Sequence, residues 1–496
     1  MHWWWIVGAT VVAALLRFTA LGEWSFWVDE AHTWRDATMP LEGERGLFSE
    51  DRAYYALPFL ALRGLLALGW IGGDEWGVRM PFAVVGVLAV PVLALCGRRL
   101  VGPTATVLAA WFCALDPWHV FWSQNARGYG LAFLFATLAV NRIAWWSDRR
   151  RWQDLLLGLL LMVLGFLCHP TVALQGASLL ALLGLQRLPP LRGRVLGWSL
   201  LGAAALVLLL PILVAMFAPF QDFLRAKAVP SPFSSLLHFA QTTAYYYRPI
   251  VLLAAVGGAW LLFRDGERRR FLLLGCFAFV PIFVLLVVGS QVAKMTARYS
   301  ICAFPVVLWL AAAACVALAR RILADVAGPG LPLRLVAGLL PALVFADFAV
   351  HLQRYFQTQF GDRARWREAC TFVTQRERAP GRGLWALTVQ EPAVRYYLDP
   401  GHWRQEHDPG VAVPQVHLLA DWQLGGGGQA RLRKWVADAA ANRADLVVMI
   451  TLPELLEKDD GQVWPTLQSE FDLVLHLPCF VGPKDESVYV FVPRAP

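Results

Sequence analysis

Residues 78–118 read VRMPFAVVGVLAVPVLALCGRRLVGPTATVLAAWFCALDPW, and they give the strongest indication of the fold class. It contains two apolar runs, 78–97 and 103–118, separated by a basic turn at Arg98 and Arg99. A helix of about 20 apolar residues crosses the ~30 Å hydrocarbon layer of a bilayer. Short cytoplasmic loops carry an excess of Lys and Arg, so the basic turn is predicted to lie inside. The stretch therefore indicates two consecutive membrane spans joined on the inner side.

The same pattern continues along the 496-residue chain, which is 57% hydrophobic and only 16% charged. A soluble domain usually carries about 25% charged residues. Five densely basic loops separate the runs, and placing all five inside gives eleven spans that alternate without conflict. The net charge of +8 lies mostly in these loops, so it indicates topology and not nucleic-acid binding. The loops are Arg98–Arg99, Arg149–Arg151, Arg187–Arg194, Arg264–Arg270 and Arg320–Arg334; the spans are 3–22, 78–97, 103–118, 128–146, 152–168, 171–187, 195–216, 249–263, 271–289, 300–319 and 333–350.

One apolar run, 54–72, is predicted not to cross the membrane. If it crossed, Arg98 and Arg99 would fall outside and the side of every later loop would be reversed. The run is short, has Pro58 near its start and carries Arg63. We therefore expect an amphipathic helix on the outer surface of the membrane.

The tail differs in kind from the rest of the chain. Its apolar segments LWALTV, LVVMITL, FDLVLHLP and VYVFVP alternate with helical patterns near 362–376 and 430–442. That alternation is typical of a small α/β domain. The expected organisation is mainly α: a polytopic helix bundle over 1–350, with its first outside loop at 23–77, followed by an extracytoplasmic α/β domain at 351–496. The expected location is a multi-pass position in a bacterial inner membrane.

The first outside loop carries WVDEAHTW, with adjacent carboxylates at Asp29 and Glu30. A carboxylate within hydrogen-bond reach of an acceptor hydroxyl can act as a general base. The alternative is a pair of solvated loop charges.

Cations also occur on the predicted outer face, where the topology rule does not expect them. Arg127 lies at the outer end of a span, close to Tyr129, and Lys294 and Arg298 lie in a later outside loop. Arginine pairs with two phosphate oxygens at once, so these residues suit an anionic phosphate. The alternative for each is an interfacial anchor.

Histidines on the outer face give a weaker signal. His169 closes a span on that side, where capping or packing is the alternative to a binding role. His169, His32 and His238 would form a metal set with Asp29 and Glu30, but no HxxxH or HExxH motif occurs. In the tail, Cys370 and Cys479 are expected to form a disulfide if that domain is outside the cytoplasm.

Taken in order, these segments resemble the type C membrane glycosyltransferases, in particular the protein O-mannosyltransferases and the lipid A aminoarabinose transferases. The resemblance covers about residues 1–350 and rests on motifs that are individually short. They are the acidic pair in the first loop, a Tyr-Tyr surface helix, R-M-P at Arg79–Pro81, S-x-x-A-R-x-Y at Ser123–Tyr129 and R-Y-x-x-x-x-x-P at Arg298–Pro305.

The resemblance implies an inverting displacement that moves a sugar from a polyprenyl-phosphate carrier to an acceptor hydroxyl. The acceptor, whether lipid, glycan or protein, stays open. The family's first-loop Asp falls on Asp29 and the neighbouring acid on Glu30, so both are expected to be catalytic. The substrate-binding positions that we expect are Arg127, Tyr129, Lys294, Arg298, Tyr54, Tyr55, Glu50, Asp51 and His169.

The chain departs from the family pattern at the start of the surface helix. The family sequence is normally P-L-Y-Y preceded by a functional polar residue, whereas EDRAYYAL lacks the Pro and the Leu, and Glu50 or Asp51 occupies the position of the polar residue. Some relatives use a divalent metal and others do not, so metal dependence also stays open. Two other functions fit the same topology: a transporter or flippase for a lipid-linked sugar, and a non-catalytic scaffold. A transporter is expected to show discontinuous helices with polar groups at mid-membrane.

Overall fold

The computed structural model of the chain describes residues 3–43, 46–49, 53–187, 232–291, 295–324, 331–376, 382–402, 414–419, 427–453, 456, 461–482 and 484–494. The predicted span 195–216 lies outside the described residues, as do Lys294, Glu50 and Asp51.

The chain divides into two compact units, each assembled from separate segments. The first, here the helical unit, comprises Met1–Thr19, Tyr54–Pro58 and Pro81–Gln353. The second, here the sheet unit, comprises Ala20–Ala53, Phe59–Met80 and Arg354–Pro496. The sheet unit thus contains most of the first predicted outside loop together with the tail.

Most of the secondary structure is α-helical, because apolar residues that form helices well dominate the first 350 positions. The helices described before the tail are α1 Trp3–Phe18, α2 Val28–Thr38, α3 Leu57–Ala67, α4 Glu75–Val101, α5 Pro103–Leu115, α6 Pro117–Ser123, α7 Tyr129–Arg149, α8 Trp152–Cys168, α9 Ala173–Arg187, α10 Pro232–Tyr247, α11 Pro249–Arg264, α12 Arg268–Gln291, α13 Phe304–Ala324 and α14 Leu331–Gln357.

Three helices among the described residues are long and apolar enough to cross a membrane: Glu75–Val101, Arg268–Val287 and Ala297–Leu323. A fourth span is obtained if α10 and α11, which meet at a bend of 87°, count as one. The membrane character of the chain is therefore supported, whereas the predicted number of eleven spans is not confirmed. Several predicted spans form helices of 13–17 residues, such as α1, α5 and α8, and 16 residues rise only about 24 Å.

The run predicted to lie on the membrane surface forms a short helix. Its 11 residues, Leu57–Ala67, rise about 16 Å, roughly half of the hydrocarbon thickness. Since α5, a predicted span, forms a helix of only 13 residues, length does not separate this run from the spans, and its position on the outer surface remains a prediction.

The bend between α10 and α11 falls at Arg248, whose φ of 59° lies in the left-handed region. Arg248 donates two hydrogen bonds of 2.8 Å to the Asp347 carboxylate of α14. Just before the bend, the Tyr247 hydroxyl lies 2.7 Å from Ser300 Oγ. These contacts hold the bent pair against two other segments of the helical unit.

The tail folds as a mixed five-stranded sheet with helices, as the alternating pattern predicts. Its strand order is β2-β1-β3-β7-β4; β2 and β3 pair parallel with β1, whereas β7 pairs antiparallel with β3 and β4. The elements are α15 Trp366–Gln375, β1 Gly383–Thr388, α16 Glu391–Leu398, β2 Gln415–Leu418, α17 Gly428–Ala441, β3 Ala444–Ile450, α18 Val463–Glu470, β4 Phe471–Leu477, β5 Phe480–Val481, β6 Lys484–Asp485 and β7 Val488–Pro493.

Candidate functional site

In the sheet unit, Asp29 and Glu30 lie in the first turn of helix α2, Val28–Thr38. Acidic residues are favoured there because the unpaired N–H groups and the helix dipole make this end positive. Asp29 is partly exposed, whereas the side chain of Glu30 is completely buried. Two neighbours that look equivalent in the sequence therefore have different surroundings.

Glu30 forms a bidentate ion pair with Arg79. Arg79 Nε donates to Glu30 Oε1 and Arg79 NH2 donates to Oε2, both at 2.7 Å. The remaining N–H groups of the guanidinium donate to the carbonyls of Leu21, Trp24 and Ser25 at 2.8–2.9 Å. All the donors of Arg79 are thus used. The contact ties the start of α4 to the loop that precedes α2.

A second arginine, from the tail, reaches the same carboxylate. Arg363 Nε donates to Glu30 Oε2 at 3.2 Å, and its NH1 donates to Gly361 O and to Tyr355 Oη. Burial alone lowers the pKa of Arg363, but Tyr355 and Glu30 outweigh burial, so its pKa is raised above the usual value. Arg363 is therefore cationic, and one buried carboxylate holds two buried guanidinium groups.

A second set of contacts joins two other positions of the first loop, Phe26 and Glu75, to the tail. Glu75 accepts hydrogen bonds from Arg367 Nε at 3.0 Å and from the Tyr397 hydroxyl at 2.9 Å. The same hydroxyl accepts from Phe26 N at 2.6 Å. Burial raises the pKa of Tyr397 well above its usual value, and Glu75 raises it further. The neutral tyrosine thus donates to one segment of the loop and accepts from another.

In the helical unit, several predicted substrate-binding residues form one aromatic cluster. The centroids of the Tyr129 and His169 rings lie 4.0 Å apart, and those of the Tyr55 and His169 rings lie 6.3 Å apart. Tyr54 lies 5.0 Å from Tyr55, and Trp122 lies 3.8 Å from Tyr129. The structure thus brings together the Tyr-Tyr segment, the second outside loop and the end of α8.

Close backbone packing explains how these segments meet. A Cβ atom on Gly128 would lie 2.1 Å from the carbonyl oxygen of Cys168 and 3.4 Å from Pro58 Cγ. Cys302 Sγ, in the segment Ala297–Ala303, donates to Thr171 O at 3.4 Å. The loop that carries Arg298 therefore packs against the segment that follows His169.

Arg127 and Arg298 are both partly buried in these segments. Arg127 N donates to Asn125 O at 2.7 Å, and Arg298 NH2 donates to Tyr299 Oη at 3.3 Å. His169 Nδ1 accepts a hydrogen bond from Thr171 N at 3.4 Å, so this histidine caps the turn Pro170–Val172, and it also lies 3.0 Å from Thr171 Oγ1.

Two amides of this loop, Gln124 and Asn125, are not among the predicted substrate-binding residues. Gln124 Nε2 donates to the carbonyls of Leu16, Arg17 and Thr19, so it caps the end of α1. Asn125 is fully buried, and neither its Oδ1 nor its Nδ2 has a hydrogen-bond partner among the described residues. Buried amides are normally satisfied, so Asn125 is a candidate ligand contact. The sequence signal was its position two residues before Arg127.

Metal dependence stays open, whereas the expected disulfide is not formed. Within the part of the chain that the structure describes, no group of three or more His, Cys, Asp or Glu side chains is placed to hold a metal ion. Glu30, which the sequence grouped with three histidines as a possible metal set, is paired with two arginines. The expected bond between Cys370 and Cys479 is corrected: both are buried free thiols, and Cys479 Sγ donates to Arg363 O at 3.1 Å.

Comparisons with known proteins agree on the fold. The family model for dolichyl-phosphate-mannose-protein mannosyltransferase matches residues 57–215, about a third of the chain. No curated protein matches the chain significantly.

Solved structures match along nearly the whole length. ArnT from Cupriavidus metallidurans in the apo state has a TM-score of 0.52 and 15% identity, covering 98% of this chain and 97% of ArnT. The same protein bound to undecaprenyl phosphate has a TM-score of 0.50 and 13% identity, and the match covers 100% of this chain and 99% of ArnT. A third match is the oligosaccharyltransferase AglB from Archaeoglobus fulgidus, in complex with an inhibitory peptide and a dolichol-phosphate. It has a TM-score of 0.54 and 11% identity, and the match covers 99% of this chain and 76% of AglB. The predicted resemblance is thus confirmed, and the chain has the fold of the type C membrane glycosyltransferases.

Proposed function

We propose that this protein transfers a sugar from a polyprenyl-phosphate carrier to an acceptor hydroxyl on the extracytoplasmic face of a bacterial inner membrane. The observation that carries the proposal is the difference in burial and ion pairing between the two acids of the first loop. Glu30 is buried between two arginines, while Asp29 stays partly exposed on the same helical turn. A rigid loop that presents one carboxylate is what a positioned general base requires.

The donor class is supported by the ligands of the structural matches. ArnT was solved with undecaprenyl phosphate and AglB with a dolichol-phosphate, and both ligands are polyprenyl phosphates. In this chain, Arg127 and Arg298 occupy partly buried segments that pack around the aromatic cluster. Their guanidinium groups suit the phosphate of such a carrier, and the aromatic rings offer apolar faces to a sugar or to the lipid.

The proposed reaction is a single displacement at the anomeric carbon of the donor. Asp29 takes the proton of the acceptor hydroxyl as the oxygen forms its bond to that carbon. The bond from the anomeric carbon to the phosphate oxygen breaks, and its electron pair leaves with the polyprenyl phosphate. Arg127 and Arg298 stabilise the charge that develops on the leaving phosphate. The configuration at the anomeric carbon is inverted.

A panel of polyprenyl-phosphate sugars, incubated with the purified protein and candidate acceptors, tests the proposal through the release of polyprenyl phosphate. We expect Asp29→Asn to lower turnover by roughly 10²–10⁴-fold without unfolding the protein. Asp472→Asn is the matched control, because this exposed carboxylate pairs with Arg494 on the sheet surface. A folded Asp29→Asn variant with full activity on the true donor and acceptor would overturn the assignment.

A transporter for a lipid-linked sugar is the second candidate, and the bent pair α10–α11 is the observation that favours it. Transporters often contain such broken helices, and this bend is 87°. The same assay separates the two functions. A transporter moves the intact lipid-linked sugar between leaflets of a vesicle, whereas a transferase releases polyprenyl phosphate.

A further inference from the structure

An open cavity of about 420 Å³ lies in the helical unit, far from the aromatic cluster. It is lined by the C-terminal ends of α4 and α7 and by the N-terminal end of α12. Helix α7 begins at Tyr129, which belongs to the cluster, and its last residues line the cavity. Its 21 residues rise about 30 Å, so the two sites are separated by roughly the thickness of the hydrocarbon core of a bilayer.

The lining of this cavity is strongly basic. Four arginines, Arg99, Arg268, Arg269 and Arg270, face two carboxylates, Asp148 and Glu267, which leaves a net charge of +2. Its volume falls within the usual range for sites that take small ligands. The lining therefore favours an anion.

Contacts within the cavity wall hold the arginines in place. Asp148 accepts from Arg99 NH2 at 2.8 Å and from Arg269 NH1 at 3.4 Å, so one carboxylate joins α4, α7 and α12. The Arg99 guanidinium also lies 3.6 Å from the centre of the Trp145 ring. Stacked and paired guanidinium groups lose less conformational freedom when they bind.

The end of α12 adds to the positive potential. This helix begins at Arg268, on the cavity wall. The N-terminal end of a helix carries a partial positive charge and directs backbone N–H groups outward, which favours phosphate. Three consecutive arginines on that first turn reinforce the same preference.

We propose that this cavity binds a phosphate group, supplied either by the headgroup of an anionic membrane phospholipid or by free phosphate. Basic cavities between spans on the cytoplasmic side suit lipid headgroups, and the charge distribution predicts that side for this end of the helices. The side chain of Arg269 is 60% exposed and that of Arg99 is 41% exposed. Binding is therefore partly screened and weakens as salt rises. The site is separate from sugar transfer and does not depend on the proposed function.

The alternative is a basic loop that does nothing beyond setting topology. A matched pair of double variants separates the two. Arg269→Gln with Arg270→Gln removes two charges from the cavity wall, whereas Arg264→Gln with Arg320→Gln removes two charges from outside it, on α11 and α13. Both pairs carry partly exposed side chains, so neither is expected to unfold the protein.

Two measurements on each variant distinguish the sources of phosphate. Native mass spectrometry counts phosphatidylglycerol retained from nanodiscs that mix it with phosphatidylcholine. Thermal shift in neutral detergent measures stabilisation by inorganic phosphate. We expect the cavity variant to bind phosphatidylglycerol, inorganic phosphate or both with an affinity roughly 10- to 30-fold lower than that of the wild type. The control pair should match the wild type. Lipid retention alone assigns a headgroup, and phosphate stabilisation alone assigns free phosphate. Equal behaviour of the two double variants, or no binding by the wild type in either measurement, overturns the proposal.

Discussion

Glu30 accepts hydrogen bonds from Arg79 and Arg363, whereas the side chain of Asp29 stays partly exposed one residue earlier. Removing one partner from a buried ion pair is costly, because the remaining charge has no compensation. Here the loss of Glu30 would leave two guanidinium groups without their carboxylate. We therefore assign Glu30 as a positioning residue for the loop that carries Asp29.

Glu30→Gln is expected to lower the unfolding temperature by roughly 6–20 °C, which corresponds to a loss of about 3–5 kcal/mol. Differential scanning fluorimetry in detergent measures the change. Glu470→Gln is the matched control, since that exposed carboxylate pairs with Arg433 at the surface and should change stability by less than about 1 kcal/mol. Adding Arg363→Met to Glu30→Gln removes one uncompensated charge and should recover part of the loss. Wild-type stability in Glu30→Gln would refute the positioning role.

Arg127→Lys keeps the charge but loses the flat, forked donor set of arginine. If Arg127 holds the donor phosphate, this variant should lower kcat/KM for the polyprenyl-phosphate sugar by roughly 10- to 100-fold. Steady-state kinetics with the donor varied separates weaker donor binding from slower displacement. Arg142→Lys, at the other end of α7 where the side chain pairs with Asp154, is the control. Unchanged kinetics in Arg127→Lys would remove Arg127 from the phosphate site.

At the scale of elements, the short turn Phe360–Asp362 connects α14 to α15 and delivers Arg363 to Glu30. Its central residue, Gly361, has a φ of +64°, a backbone conformation that residues other than glycine adopt only at an energetic cost. A Cβ atom there would also lie 2.4 Å from Trp24 Cε3 and 2.6 Å from Arg363 NH1. Both the conformation and the close packing thus require glycine.

Gly361→Ala is therefore expected to destabilise the sheet unit by roughly 1–3 kcal/mol. The clash also displaces Arg363, so the unfolding temperature and the sugar-transfer activity should fall together. Gly383→Ala is the control within the same unit, because nothing lies within 4 Å of an added Cβ at the start of β1. Equal stabilities of the two variants would show that the turn tolerates a side chain.

At the scale of the whole molecule, the orientation of the chain in the membrane is predicted from its arginines. All eight cysteines are buried, so a cysteine introduced at an exposed position can be labelled selectively in the wild-type background. Arg264 is the first residue of the predicted inner loop Arg264–Arg270, and Arg433 lies on α17 in the tail; their side chains are 52% and 63% exposed.

With a maleimide that cannot cross the membrane, Arg433→Cys in intact spheroplasts is expected to react, whereas Arg264→Cys should react only after the membrane is opened. Both cysteines should react fully in detergent, which controls for accessibility. Labelling of Arg264→Cys from the outside would contradict the predicted orientation and the proposed extracytoplasmic location of the tail.

Four features are predictable from the amino-acid sequence alone: the membrane character, the helical class, the sheet-containing tail and the resemblance to type C glycosyltransferases. These follow from hydropathy, charge and short motifs, which are local properties of the chain. Helix lengths were less predictable, because apolar residues continue past the ends of helices such as Trp3–Phe18 and Leu57–Ala67.

The contacts of the candidate residues, in contrast, depend on how distant segments of the chain pack in the folded protein. Glu30 and Arg363 are 333 positions apart, and Tyr55 meets His169 across more than a hundred residues. No local pattern encodes such pairings, since they arise when distant segments pack and bury their polar groups together. The same packing left Cys370 and Cys479 as free thiols. It also set Glu30 apart from Asp29, because burial between two arginines depends on the fold and not on the neighbouring residue.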